Sequence, residues 1–406
     1  VTSADHSDGV HDAPGLQGEP DLDDAPRLHD GPREHDDPRE HDDPGLHDDL
    51  GVYVLPGRAS DPARALREAR DAERAGFGAV YVSERLDLKE AGVVCGALAA
   101  TTDRCRVGTA VIHQGTRHPL TIAALAATAH TMSGGRFVLG LGRGLGALAP
   151  SLGVAPPTLR GLEHLVGVLR RLWAGEAIRE EGASGSFRGM RFSDLPPDGA
   201  PPVVLGTIGP RGLDLAGRAF DGVILHPFLT VDAVAASVAA VRGAAERAGR
   251  DPASVRVITT LVAAPDLPPD RADLAVRARA VSYFQVRGLG ELLVERNGWD
   301  PAVLERLRAH PTLTGRGIAD TAVTRDRLVE SAELIPAQWF DTGAAIGSSA
   351  ACARRAADYR AAGADEVLVH GASPAEAGAM AAAWGALRSR PSAAPAFATA
   401  GGAGAG

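Results

Sequence analysis

The chain has 406 residues, is 45% hydrophobic and carries a formal net charge of -9. That charge joins two unlike parts: residues 1–49 hold 16 acids against three bases, which leaves +4 for everything that follows. With no Lys/Arg run and no apolar run of about 18 residues, the composition excludes a nucleic-acid footprint and a helical membrane span.

From the N-terminus, residues 29–49 repeat with a period of six, starting at His29, His35, His41 and His47 and carrying Asp and Pro in nearly every unit. Proline interrupts helix and sheet, and almost nothing apolar is present to offset the entropy of ordering. Residues 1–49 are therefore expected to be a disordered acidic tail. The recurring His and Asp could make a weak metal tract, but a solvated extension is the preferred reading and no metal site is assigned. The opening residues lack the basic start and apolar stretch of a secretory leader. Cys95, Cys105 and Cys352 are lone thiols without a CxxC, so a reducing, cytoplasmic setting is expected.

Residues 50–388 read as one domain of alternating strand and helix. Gly51–Leu55 is a short apolar run closed by Pro56-Gly57, and Asp61-Pro62 opens a helix that Gly76 ends. Further strands are expected at 78–82, 106–112, 136–141, 202–205, 222–225, 255–262 and 366–370. Helices are expected at 90–101, 119–132, 158–173, 210–220, 231–248, 349–362 and 374–387. Eight β-α units predict a (β/α)8 TIM barrel, with insertions after strands 4 and 7 at about 175–200 and 265–345. Residues 389–406, rich in Ala, Gly and Pro, are expected to form a disordered second tail.

In a barrel of this kind, polar residues just past strand ends carry the chemistry. After strand 2 come Ser83, Glu84 and Arg85; after strand 3, His113 and Gln114; after strand 6, His226; at strand 8, His370. Of the histidines, His113 and His226 are the better candidates, because both end strands whose preceding residues are apolar; His113 or Glu84 is the first candidate for proton transfer, with Arg85 orienting an oxygen-bearing substrate. Gly140, Gly142, Arg143 and Gly144 follow strand 4, where a backbone without side chains lets a flat ring or phosphate approach. Their spacing fails the dinucleotide fingerprint, and Lys89, the only lysine, is not in a phosphate-loop motif. Gly206, Thr207, Gly209 and Arg211 form a second glycine cluster at a helix start, which suits an anion.

Taken together, these segments resemble the luciferase-like monooxygenase superfamily, in its branch that uses the deazaflavin coenzyme F420. The resemblance rests on Gly76–Glu84, Arg106–Val111 with Arg117-His-Pro119, Ser133–Gly142, Gly209-Pro-Arg211 and Ala219–Ile224, and on Asn297-Gly-Trp-Asp-Pro301. It implies a two-electron oxidoreductase moving a hydride between the deazaflavin and an unknown small organic substrate. The alternatives are an FMN-dependent monooxygenase on the same barrel or a non-catalytic flavin-binding protein. It also implies a homodimer. The ring would be lined by Ser83, Thr109, Ala110, Val111 and Gly142, with a non-prolyl cis bond at Ala110–Val111. The phosphate would rest on Gly206 to Gly212, and Arg143 and Arg211 would meet the coenzyme's anionic groups. Relatives that oxidise sugar phosphates carry a His and a Glu where this chain has Arg85 and Leu145, so that substrate class is not expected.

Overall fold

A computed structural model describes residues 45–55, 61–86, 88–144, 146, 149–196, 199–314 and 323–388. The expectations for residues 1–44 and 389–406, and for Leu145, lie outside the described residues. In chain order the strands are β1 (His47–Tyr53), β2 (Phe77–Val82), β3 (Arg106–Thr109), β4 (Ile112–His113), β5 (Phe137–Gly142) and β6 (Ile178–Gly182). They continue with β7 (Gly185–Met190), β8 (Val203–Gly206), β9 (Gly222–Leu225), β10 (Arg256–Pro265), β11 (Ala345–Gly347) and β12 (Glu366–Gly371). Parallel pairing runs β1-β2-β3-β5-β8-β9-β10-β12 and back to β1, so eight strands close into a barrel. β4 adds to β5 and β11 to β10, whereas β6 and β7 form a separate antiparallel hairpin.

Parallel neighbours need a crossover between them, and helices supply it. Six of these are α1 (Arg64–Arg74), α2 (Ala91–Ala99), α3 (Pro119–Met132), α4 (Leu159–Trp173), α5 (Pro210–Ala219) and α6 (Val231–Arg247), followed later by Ser349–Ala361 and Gly378–Leu387. Their starts are written locally. The hydroxyls of Thr158, Thr230 and Ser348 each accept a backbone N–H three residues on, and Pro119 and Pro210 occupy first-turn positions where no amide is needed. α1 departs from expectation: it begins at Arg64 without a side-chain cap, and Asp61 instead pairs with Arg67 at 2.6 Å.

Strand alternation sorts the side chains into two apolar layers. Outward residues such as Leu50, Val80, Val107, Leu139 and Val223 pack under the helices. The inner layer draws on seven barrel strands and on Ala110 just past β3: Tyr53, Ala79 with Tyr81, Ala110, Val138, Val204, Ile224, Ile258 and Leu368. Below it, at the strand starts, the fully buried Glu366 carboxylate meets Arg106 Nη2 at 2.9 Å and Arg256 Nε at 3.0 Å.

The tail boundary moves. β1 begins at His47, so the last His-Asp-Asp unit of the repeat is barrel strand rather than tail. Asp49 is 2% exposed. Its carboxylate accepts from Arg388 Nη1 (2.7 Å), Arg360 Nε (3.2 Å) and Trp384 Nε1 (3.3 Å). Acid-rich composition alone did not reveal that one carboxylate was spoken for.

Both long connections carry extra structure. The β6–β7 hairpin leaves from the end of α4, not from β5, and its turn climbs back so that Ser184 Oγ lies 2.6 Å from His164 Nδ1 near the start of α4. Between β10 and β11 the described chain is helical, including Ala278–Phe284, Leu289–Asn297, Ala302–Arg308, Arg325–Ala332 and Ala337–Gly343.

Candidate functional site

The C-terminal strand ends form the mouth. On one side β3 runs through a cis Ala110–Val111 peptide into β4, which pairs with β5 so that His113 lies opposite Gly142. Val111 is partly buried, and glycines make room for it. A Cβ at Gly142 would lie 2.4 Å from Val111 Cγ2, and one at Gly206 would lie 2.9 Å from Val111 Cγ1. Gly140 serves a different approach, since its Cβ would meet the Thr109 carbonyl at 1.9 Å. The result is an apolar shelf of Ala110 and Val111 with glycine backbone beside it. Thr109 does not belong to that shelf: fully buried, its Oγ1 accepts from Gly140 N–H and donates to Gly140 O, both at 2.9 Å. It staples β3 to β5.

Glu84 and His113 come together at the edge of the shelf. The Glu84 carboxylate, 6% exposed, accepts the His113 backbone N–H at 2.9 Å and meets Arg117 Nη2 at 2.5 Å. Arg117 also pairs with Glu90, the N-cap of α2. Glu84 is thus an anchor for the turn into β4. The His113 ring backs onto Gly144, where a Cβ would lie 2.9 Å from Cγ. Burial lowers its pKa; the Glu84 carboxylate pulls it up and Arg117 pushes it further down. Ser83 is half-buried just past β2. Arg85 bridges to Lys89 through backbone. Burial, and then Arg85, lower the Lys89 ammonium to about 8.

The loop Gly206–Gly209 leads into α5, whose N-cap Gly209 offers no side chain. Thr207 folds over Gly212, because a Cβ there would meet Thr207 Oγ1 at 2.0 Å. Arg143 and Arg211 are exposed. These two are open to an anion, whereas Thr207 is packed.

The opposite side of the mouth contains residues that strand-end reasoning passed over. Tyr53 donates to the Ala110 carbonyl at 3.1 Å, and its ring centroid lies 4.2 Å from that of His370. Arg279 Nη1 donates to His370 Nε2 at 2.7 Å, and Tyr283 meets His226 edge-on at 5.3 Å. Tyr53 was readable from the inward alternation of β1. Arg279 and Tyr283 reach the mouth only because the long insertion folds back. The Asn297–Pro301 motif also finds its place: Asn297 accepts from Thr230 N–H at 2.9 Å and donates to the Phe228 carbonyl at 2.8 Å. It brackets the turn after β9, where Phe228 sits at φ 66°, and Trp299 beside it stacks on Trp339 at 4.5 Å.

Burial pushes His226 down to about 4. The unfolded imidazole takes up its proton near 6.5, so between these values the unfolded state binds more protons and stability falls as pH falls. Below pH 6.5 the loss should accumulate at about 1.4 kcal/mol per pH unit, reaching about 2 kcal/mol at pH 5. Urea unfolding at pH 7 and pH 5, compared between wild type and His226→Leu, checks this; an equal drop in both proteins refutes it.

Among the described residues, no group of three or more His, Cys, Asp or Glu side chains could hold a metal ion, and no helix is long and apolar enough to cross a membrane. Residues 47–366 match the luciferase-like monooxygenase family. The chain is 30% identical over 245 residues to the 5,10-methylenetetrahydromethanopterin reductase of Methanolobus tindarius, covering 60% of this chain and 74% of that protein. It is 34% identical over 166 residues to the F420-dependent glucose-6-phosphate dehydrogenase of Microbacterium testaceum, covering 38% of this chain and 49%, about half, of that relative. The solved coenzyme F420-dependent tetrahydromethanopterin reductase of Methanopyrus kandleri superposes with a TM-score of 0.69 at 20% identity, over 82% of this chain and 97% of that one. An eight-stranded parallel barrel matched along most of its length leads to one placement: the chain belongs to the luciferase-like monooxygenase family.

Proposed function

We propose that the protein is a coenzyme F420-dependent oxidoreductase acting on a small organic substrate. The observation that carries this is the shelf. Val111 is seated between Gly142 and Gly206, whose missing side chains leave it room at the barrel mouth. An apolar, side-chain-poor surface of that kind fits one face of a planar tricyclic ring. Two of the three relatives named above, the Microbacterium dehydrogenase and the Methanopyrus reductase, support the deazaflavin as the ring, because their names carry coenzyme F420. When bound, that coenzyme supplies a hydride acceptor or donor at its central ring carbon.

The chain's own residues bind and orient. Ala110 and Val111 back the ring, while Gly142 and Gly206 leave room for Val111 and Gly144 leaves room for the His113 ring. Arg143 and Arg211, both exposed, attract the anionic chain of the coenzyme. Glu84 acts through Arg117 and His113 N–H to fix the turn carrying that shelf, which makes it a positioning residue in this reading. His113, kept neutral by burial, can hold or pass a proton at its ring nitrogen. Arg85 is assigned to substrate orientation and not to acid–base work, since a guanidinium keeps its proton at neutral pH.

The homodimer belongs to the same proposal and is supported by the family's habit of pairing barrels. A reducing, cytoplasmic setting is supported by three buried free thiols, Cys95, Cys105 and Cys352. Anaerobic fluorescence titration of the full chain with F420 and with FMN tests the cofactor. Tight F420 binding with no FMN binding is the expected result; the reverse would replace this reading with the flavin monooxygenase.

A further inference from the structure

Two histidines at the mouth, one just past β9 and one in β12, each present a buried polar atom that no protein group satisfies. They are His226 Nδ1 and His370 Nδ1. Sheet register brings them to one lip: Leu225 pairs with Thr259, Thr260 with Leu368, and Val262 with His370. Thr260 lies between them and is hydrogen-bonded to the Tyr53 hydroxyl, which itself donates to the Ala110 carbonyl at 3.1 Å. A buried polar atom without a partner keeps its full desolvation penalty, and two on one wall mark a surface suited to a polar ligand.

His370 is the more constrained of the two. Only 5% exposed, it receives the Arg279 N–H at Nε2, 2.7 Å away. A guanidinium only donates, so Nε2 must offer its lone pair and the ring proton must lie on Nδ1. The unsatisfied atom is therefore a donor. The fold takes pains to set this up: Gly371 allows the Ala263 and Ala275 carbonyls to come within 3.1 Å of where its Cβ would be. Asp273–Arg277 winds as a single π-turn just before Arg279, a local irregularity that recurs at functional sites. Burial first, and then the cations Arg279, Arg325 and Lys89, hold the imidazole neutral.

We propose that this lip is the substrate wall facing the ring shelf, and that His370 donates a hydrogen bond from Nδ1–H to the acceptor oxygen of a small carbonyl or alcohol substrate. The assignment rests on the deazaflavin reading for its orientation, since it puts the ring on Val111 and the substrate across from it. His226 and Thr260 provide the neighbouring polar positions. His370 does not supply a proton, because Arg279 prevents it from recovering one at Nε2.

The test begins with the wild-type full chain, labelled with 15N-histidine and read by NMR. His370 is expected to carry its proton on Nδ1 throughout the neutral pH range. Adding acetone or cyclohexanone to the F420-loaded chain should move its Nδ1 signal. A proton on Nε2, a charged ring, or no shift with either ketone overturns the proposal. In ketone reduction, His370→Leu should lower kcat/KM about 100-fold, the usual loss for one oriented donor, with F420 affinity unchanged. His370→Asn, whose amide N–H can stand where Nδ1–H stood, should recover most of that loss. A parallel fall in F420 affinity would place His370 on the coenzyme instead and refute the substrate assignment. Failure of wild type to bind F420 would strike the deazaflavin reading alone, because the tautomer and the ketone shift can be measured on the unloaded chain.

Discussion

Glu366→Leu should destabilise the barrel by about 3–5 kcal/mol, the usual result of removing one member of a buried ion pair. Glu366 is fully buried and faces Arg106 at 2.9 Å and Arg256 at 3.0 Å, the latter only 3% exposed. Both guanidiniums also donate to the Asp48 carbonyl, but a carbonyl dipole does not replace a counter-charge. The exposed Asp48 carboxylate lies 3.6 Å from Arg106 Nη1, too far and too solvated to replace Glu366. Without Glu366 two cations would share the floor of the barrel. Denaturant unfolding followed by circular dichroism measures the loss. Converting Arg106 and Arg256 to Met or Leu in the same protein should return much of it, because an apolar floor needs no counter-ion. A Glu366→Leu protein as stable as wild type would show that the cluster contributes nothing.

Gly142→Ala should weaken F420 binding about 10–100-fold, since forcing extra volume into a packed position costs about 1–3 kcal/mol. The new methyl would lie 2.4 Å from Val111 Cγ2, closer than two carbons can stand. Val111 is held by β4 on one side and lies near Gly206 on the other, so it must tilt and take the shelf with it. The decisive experiment is the double variant. Val111→Ala removes the atoms the methyl strikes, so Gly142→Ala/Val111→Ala should bind F420 better than Gly142→Ala alone. Simple addition of the two losses would mean that the glycine acts elsewhere, because residues in contact are expected to couple. Thermal unfolding run alongside separates a distorted shelf from a lost fold.

The barrel was legible in the sequence because hydrophobic periodicity and cap residues are local signals. Thr158, Thr230 and Pro119 mark helix starts within a residue of where the structure places them. The shelf was legible through glycines, since a missing side chain is written in the sequence even when the atom it spares is not. The reason for each glycine was hidden. Gly140 answers to the Thr109 backbone and Gly142 to Val111, and both pairings exist only across strands. The lip opposite was the least readable part. His226 and His370 stood out as strand-end residues, yet what gives His370 its character is Arg279, 91 residues earlier. No spacing rule joins an insertion helix to the last strand; packing does.

Asp49 has a consequence for where this barrel can be cut. One carboxylate gathers Arg360, Trp384 and Arg388, so the first strand and the last helix share a single fastening. Trimming the repeat back to residue 50 and trimming the C-terminus to before Arg388 would undo the same knot from opposite ends. The barrel's first strand therefore includes this carboxylate. It starts inside the last histidine-aspartate unit, which the six-residue period had counted as tail.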